Sequence, residues 1–144
     1  MTKSSKLPNH LQDLYQAATQ ARTNAYAPHS KYRVGAAIKL KNGQIVAGCN
    51  VENSSYGATV CAERGAIQTA VAKFGKIEIS EILVITDAHP PWMPCGLCRQ
   101  VISEFVDDCA IHATNVDGDC ISMNFKSIYP SGFSPKELHE GKKN

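Results

Sequence analysis

Two strand-like runs, Tyr32–Leu40 and Gln44–Val51, flank Lys41-Asn42-Gly43. An Asn-Gly turn between two such runs is a strong local signal for a β-hairpin. The chain beyond the hairpin decides the fold class. Asn50–Thr59 is small and polar and reads as a loop. Val60, Glu63, Ile67, Ala70, Val71 and Phe74 then share one helical face, so a helix starts at about Val60 or Cys61, with Thr59 as a candidate cap. Glu81–Asp87 is a short apolar run with β-branched residues, which fits a buried strand. After the proline-rich Ala88–Gly96 comes a third helix carrying Leu97, Val101, Ile102 and Phe105, then two further strand-like runs, Cys109–Asn115 and Cys120–Phe125. Ahead of the hairpin, Leu11, Leu14, Tyr15, Ala18, Ala21 and Ala25 predict a first helix from about His10 to Ala25, stopped by Pro28. Ile128–Leu138 is broken by prolines and has room for one short helix.

Strand–helix–strand units imply a partly parallel sheet with helices on both faces. The expected architecture is therefore α/β: a three-layer α/β/α sandwich around a mixed, five-stranded sheet. The length of 144 residues suits one domain, taken as residues 1–144 with its core at about 10–138. Two helix starts, at Cys61 and Gly96, follow the C-terminal ends of strands, where sites in open α/β sheets gather.

Charge and composition narrow the function. Lys plus Arg exceed Asp plus Glu by 15 − 13 = +2. So small a surplus argues against a chain built to grip a nucleic-acid backbone. The hydrophobic fraction of 43% is that of a globular protein, and no run approaches the length of a membrane span. The N-terminal residues lack the apolar core of a signal peptide, and the basic Gly141–Asn144 end reads as solvated. The expected location is the cytoplasm, where the six cysteines are better read as metal-binding or redox-active than as disulfides.

Cys95 and Cys98 form a C-x-x-C pair at the mouth of one helix, and Cys61 stands at the mouth of another. Helix starts favour thiolates. Three thiolates with no second C-x-x-C to complete a set of four describe an open zinc site, with the fourth position left for water. Zn²⁺ with three thiolates carries a formal charge of −1. Arg64 and Arg99, each beside this motif, are candidates to draw that charge off by hydrogen bonds to sulfur. Glu63, two residues beyond a ligand, can approach the water without ligating and so suits a proton shuttle. Taken singly, Cys61 is an ordinary core cysteine, Cys95–Cys98 a redox pair or half a zinc knuckle, and Glu63-Arg64 a solvated face. Together, Cys61-Ala62-Glu63 and Pro94-Cys95-Gly96-Leu97-Cys98 match the zinc-deaminase signature.

From about Ala21 to Leu138 the chain resembles the short, homotetrameric cytidine deaminases with an all-cysteine zinc site. Four blocks carry the likeness: YAPHSKYRVGAA, GCNVENSSYG, CAERGA and PCGLCRQV. The resemblance implies Zn²⁺ on Cys61, Cys95 and Cys98, and Glu63 as acid/base at the pyrimidine N3, the water and the leaving ammonia. It implies Ala62 offering its N–H to the ring O2, and Asn50 and Glu52 holding the ribose 3′-hydroxyl. It also implies Tyr32 packing on the base, Phe133 reaching a neighbouring subunit's pocket, and Tyr56 near a subunit contact. Asn50 and Glu52 alternate with Val51, so both can point the same way. The chain departs from the pattern at His29, Trp92 and Met93, which bears on substrate breadth. The implied reaction is hydrolysis of cytidine and 2′-deoxycytidine, in pyrimidine salvage. A polynucleotide-editing deaminase would need a basic groove and stacking aromatics. A partner-binding zinc module would need a fourth protein ligand.

Overall fold

The computed structural model describes residues 5–140. Residues 141–144, the basic end, lie outside the described residues. The chain runs β1 (Ser5–Lys6), α1 (Gln12–Arg22), β2 (Gly35–Leu40), β3 (Ile45–Cys49), α2 (Ala62–Phe74), β4 (Ile79–Thr86), α3 (Gly96–Ser103), β5 (Ala110–Asn115), β6 (Asp119–Asn124), α4 (Phe125–Ile128) and α5 (Pro135–Glu140).

The strands form one sheet in the order β1-β6-β5-β4-β2-β3. Only β4 and β5 are parallel, joined through α3; the other neighbours are antiparallel. The β2–β3 hairpin closes at Lys41-Asn42-Gly43, as its turn chemistry predicts, with Gly43 at φ 88°. The sheet is mixed, but it has six strands rather than five. The extra one, β1, pairs only Ser5 with Cys120 and Lys6 with Asp119. Two exposed polar residues carry no hydrophobic period by which to be found.

Successive residues of a strand face opposite sides. In β2, Ala36 and Ile38 turn one way and Ala37 the other; in β4, Ile82 and Val84 oppose Leu83 and Ile85. All are apolar because both faces are covered, which is why these strands read as continuous hydrophobic runs. On one face α1 brings Leu14 and Ala18, with Leu11 at its N-terminal cap, against Ala37, Leu83, Ile85 and Cys120. On the other, α2 and α3 bring Ala66, Ile67, Ala70 and Ile102 against Ala36, Ile38, Ile82, Val84 and Ile111. The expected three layers are present.

Two glycines set how closely helices lie on the sheet. A Cβ on Gly48 of β3 would come within 2.4 Å of the Ala66 nitrogen and 2.8 Å of the Ala62 oxygen in α2. A Cβ on Gly35 of β2 would stand 2.0 Å from the Ala18 oxygen in α1. Both contacts are backbone, so neither can yield by a side-chain rotation.

The first helix is shorter than its apolar spacing predicts. The N–H groups of Thr23, Asn24 and Ala25 bond to the carbonyls of Gln20, Ala21 and Arg22, so the chain tightens there into three-residue turns. Tyr32–Val34 likewise stays outside β2, because the Asn50 side chain takes its backbone bonds: the Val34 N–H donates to Asn50 Oδ1 at 2.8 Å and Asn50 Nδ2 donates to the Tyr32 carbonyl at 2.8 Å.

A polar row crosses the α1 side of the sheet. Buried His112 of β5 lies 2.9 Å from Glu81 Oε1 through Nε2 and 2.7 Å from Ser122 Oγ through Nδ1. Burial holds the His112 imidazole below its ordinary value, against the pull of Glu81. Among the described residues no helix is long and apolar enough to cross a membrane.

Candidate metal and active site

The helix starts were expected at the site, and the structure places them with one shift. The residue that caps α2 is Cys61, not Thr59, and the residue that caps α3 is Cys95. Both have extended backbones, φ −68° and ψ 157° for Cys61 and φ −67° and ψ 169° for Cys95, as N-cap residues do. Neither side chain caps its helix. The thiols turn to each other, 3.9 Å apart, and the positive ends of both helices converge on them.

Cys98, fully buried in the first turn of α3, completes the group. The three sulfurs lie within 4.8 Å of one another, and among the described residues no fourth His, Cys, Asp or Glu joins them. This donor set fits Zn²⁺. Zn–S bonds of about 2.3 Å at tetrahedral angles separate sulfurs by roughly 3.8 Å, close to the observed Cys61–Cys95 spacing. Three soft ligands with one position open is the catalytic pattern of that ion.

Electrostatics within the trio follow from contact. A hydrogen bond from Cys98 and then Arg64 hold the Cys61 thiol down at about 5, against burial. Cys98, as the donor in that pair, is pushed up. Arg64 Nη2 donates to Cys61 Sγ at 3.4 Å and to the Thr59 carbonyl at 3.2 Å. Arg64 therefore places its positive charge beside the Cys61 thiol. Arg99 does not. Its Nε donates to the Pro94 carbonyl and its Nη1 to the Ile128 carbonyl, both at 2.7 Å. It braces the loop just before Cys95 against the end of α4 rather than binding sulfur. Sequence adjacency could not separate these two roles, because the side chains leave their helices in different directions.

Glu63 lies in the first turn of α2, 4% exposed. Burial pushes its carboxyl up to about 7. A carboxyl with that value at neutral pH can both give and take a proton. Glu63, Ala62, Cys61 and Cys95 line a cavity of about 310 Å³ that opens between α2 and the loop after β4.

Asn50 and Glu52 both line the same cavity, while Val51 between them is exposed, as the alternation predicts. Both side chains are also tied to the backbone. Asn50 holds Tyr32 and Val34, and Glu52 Oε1 accepts the N–H groups of His29 at 2.9 Å and Ser30 at 3.1 Å. Hydrogen bonding from Ser30 holds the Glu52 carboxyl below its ordinary value. Tyr32 lines the mouth, its ring 4.9 Å from that of Trp92. His29 packs edge-on to Tyr56 at 5.6 Å, beside the cavity. Phe133 does not line the cavity of its own chain. Its ring is exposed, and its carbonyl accepts a bond from Gln100 Nε2 at 2.9 Å.

Val84, Thr86 and Ser30 also line the cavity and were not singled out from the sequence, and Thr59, expected there only as a helix cap, lines it too. Thr86 carried a usable signal, since it ends β4 on the side where the helix starts gather.

Comparison with known proteins agrees with this geometry. Residues 8–113 match the model of the cytidine and deoxycytidylate deaminase zinc-binding region. The chain belongs to this deaminase family. The match includes Glu63 and all three cysteines, and Phe133 lies beyond it. The chain is similar to cytidine deaminase of Halalkalibacterium halodurans, 38% identical over 90% of this chain and 98% of that protein. It is similar to cytidine deaminase of Sporosarcina psychrophila, 40% identical over 89% of this chain and 94% of that protein. Among solved structures, cytidine deaminase from Burkholderia pseudomallei superposes with a TM-score of 0.76 at 36% identity, covering 88% of this chain and all of that one. The deaminase fold thus spans most of the chain.

Proposed function

We propose that the protein hydrolyses cytidine and 2′-deoxycytidine to uridine and 2′-deoxyuridine with release of ammonia. One observation carries the reading: a buried carboxyl, Glu63, shares a cavity of nucleoside size with Cys61 and Cys95, the residues at the N-termini of the two converging helices. A structural zinc module has no use for such a group. The relatives named cytidine deaminase support the same reading.

When bound to Cys61, Cys95 and Cys98, Zn²⁺ supplies the Lewis acidity that makes water a nucleophile near neutral pH. The rest falls to the chain. Arg64 offsets thiolate charge. Glu63 takes one proton from the attacking water and gives it to N3 of the pyrimidine, then takes the second from the new C4 hydroxyl and passes it to the departing nitrogen. A C4–O bond forms, the C4–N bond breaks and ammonia leaves. The Ala62 N–H, in the first turn of α2, is assigned to the ring O2. Asn50 and Glu52 take the sugar and Tyr32 the base. Asn50 and Glu52 need no reorganisation on binding, because backbone hydrogen bonds already hold them.

The same reading puts the chain in the cytoplasm, in pyrimidine salvage, as one domain that assembles into a homotetramer with sites shared between subunits. Exposed aromatic and apolar side chains support assembly: Tyr56, Leu97 and Phe133 are 76%, 66% and 55% exposed. Phe133 is the residue assigned to a neighbour's pocket.

The deciding experiment is an absorbance assay of the purified protein on cytidine, deoxycytidine, free cytosine and single-stranded DNA, repeated with Glu63→Gln. Turnover of the two nucleosides is expected, with loss of about 10²-fold or more in the variant at unchanged zinc content. A variant that keeps zinc and full turnover removes Glu63 from the chemistry.

A further inference from the structure

We infer that Trp92 is a specificity-determining residue that closes the cavity against substituents on C5 of the pyrimidine; the inference rests on the deaminase reading.

Topology gives the orientation of the base. The carbon that loses its amino group must face the thiol trio, which lies between the start of α2, carrying Cys61, and the start of α3, carrying Cys98. Glu63 stands on the α2 side and must meet N3. In a pyrimidine ring, N3 and C5 flank C4 on opposite sides. With N3 toward α2, C5 turns toward the loop between β4 and α3. The residues that this loop sends to the cavity wall ahead of Cys95 are Trp92 and Met93.

Ring geometry separates the roles of the two aromatics. Tyr32 and Trp92 meet with centroids 4.9 Å apart and planes inclined by 50°. Two rings so inclined cannot both lie flat on one planar base. If Tyr32 takes the face, Trp92 meets an edge, and the edge on its side is C5. The two rings come from neighbouring stretches of chain, the segment before β2 and the loop after β4, which leave the sheet beside each other where Gly35 pairs with Ile85, and both line the cavity. Each is about half exposed, at 45% for Tyr32 and 46% for Trp92, which leaves a face free for a ligand.

The test compares kcat/KM for cytidine and 5-methylcytidine in the wild type, Trp92→Ala and Trp92→Phe. One methyl group in a tight apolar wall changes discrimination by about tenfold or more. The ratio of 5-methylcytidine to cytidine is expected to rise about tenfold in Trp92→Ala and to return most of the way in Trp92→Phe. A purely structural loss lowers both substrates together and leaves the ratio in place. A rise of less than about threefold overturns the assignment. Should Trp92→Ala not fold, Trp92→Leu carries the same comparison. The two readings fail separately: a wild type without cytidine turnover removes the deaminase reading, whereas turnover with an unmoved ratio removes only the role of Trp92.

Discussion

Arg64 Nη2 stands 3.4 Å from Cys61 Sγ and is anchored on its other side by the Thr59 carbonyl. The guanidinium is thus held by the residue chain that delivers the ligand itself. Arg64→Gln keeps a hydrogen-bonding group but removes the charge. Zinc affinity or kcat should fall about 10–100-fold, as for other groups that orient metal ligands. Metal content by competition with a chelator, read beside turnover, checks it; no change in either would show that the thiolate charge needs no counterweight.

Gly48 is where α2 touches the sheet, and the ligand-bearing turn of that helix is set by the contact. Gly48→Ala places a methyl 2.4 Å from the Ala66 nitrogen and 2.8 Å from the Ala62 carbonyl oxygen. It should cost about 1–3 kcal/mol by overpacking and should also lower activity, because α2 must lift. Urea unfolding together with kcat gives the answer. Gly57→Ala, with open space around its Cβ direction, is the matched control.

Asn50→Ala leaves the Val34 N–H and the Tyr32 carbonyl without their partner. Loss of about 2 kcal/mol is expected from the unpaired groups. The segment bearing Tyr32 should loosen as well, so KM should rise alongside. A stable variant with unaltered KM would show that the segment is held by other contacts.

His112 is buried between Glu81 and Ser122, and its imidazole titrates below the ordinary value of 6.5, mainly through burial. The unfolded chain therefore binds a proton at higher pH than the folded one. Stability from this group is complete above pH 6.5 and is lost as pH falls through the lower folded value. The facing groups are Glu81, Ser122 and His10, the last with its ring 6.5 Å away. Tm measured from pH 7.5 downward should drop, and His112→Gln should flatten that part of the slope. A parallel slope in the variant would assign the acid sensitivity elsewhere.

Residues whose placement is set locally were legible in the sequence. Cys61, Glu63, Cys95 and Cys98 declare themselves because a helix start fixes their spacing, and the hairpin declares itself through Asn42-Gly43. The strands of the doubly covered sheet were legible as apolar runs. Roles that depend on a distant partner were not. Gly48 and Gly35 look like ordinary strand glycines until a helix lies on them. Arg99 looks equivalent to Arg64 until Ile128 is brought near. Ser5–Lys6 becomes a strand only because the edge of β6 is there to accept it. The Trp92–Tyr32 contact joins two loops whose meeting no periodicity encodes.

Cys61 and Cys95 occupy positions where serine, threonine, asparagine or aspartate would ordinarily close the helix. Serine at Cys61 would give α2 the hydroxyl its first amides lack, and would take a sulfur from the metal. Such a protein should resist denaturant better as the metal-free chain and do no chemistry. Selection for a durable fold and selection for an active one therefore pull on the same atom in opposite directions, and the thiol records which of them prevailed.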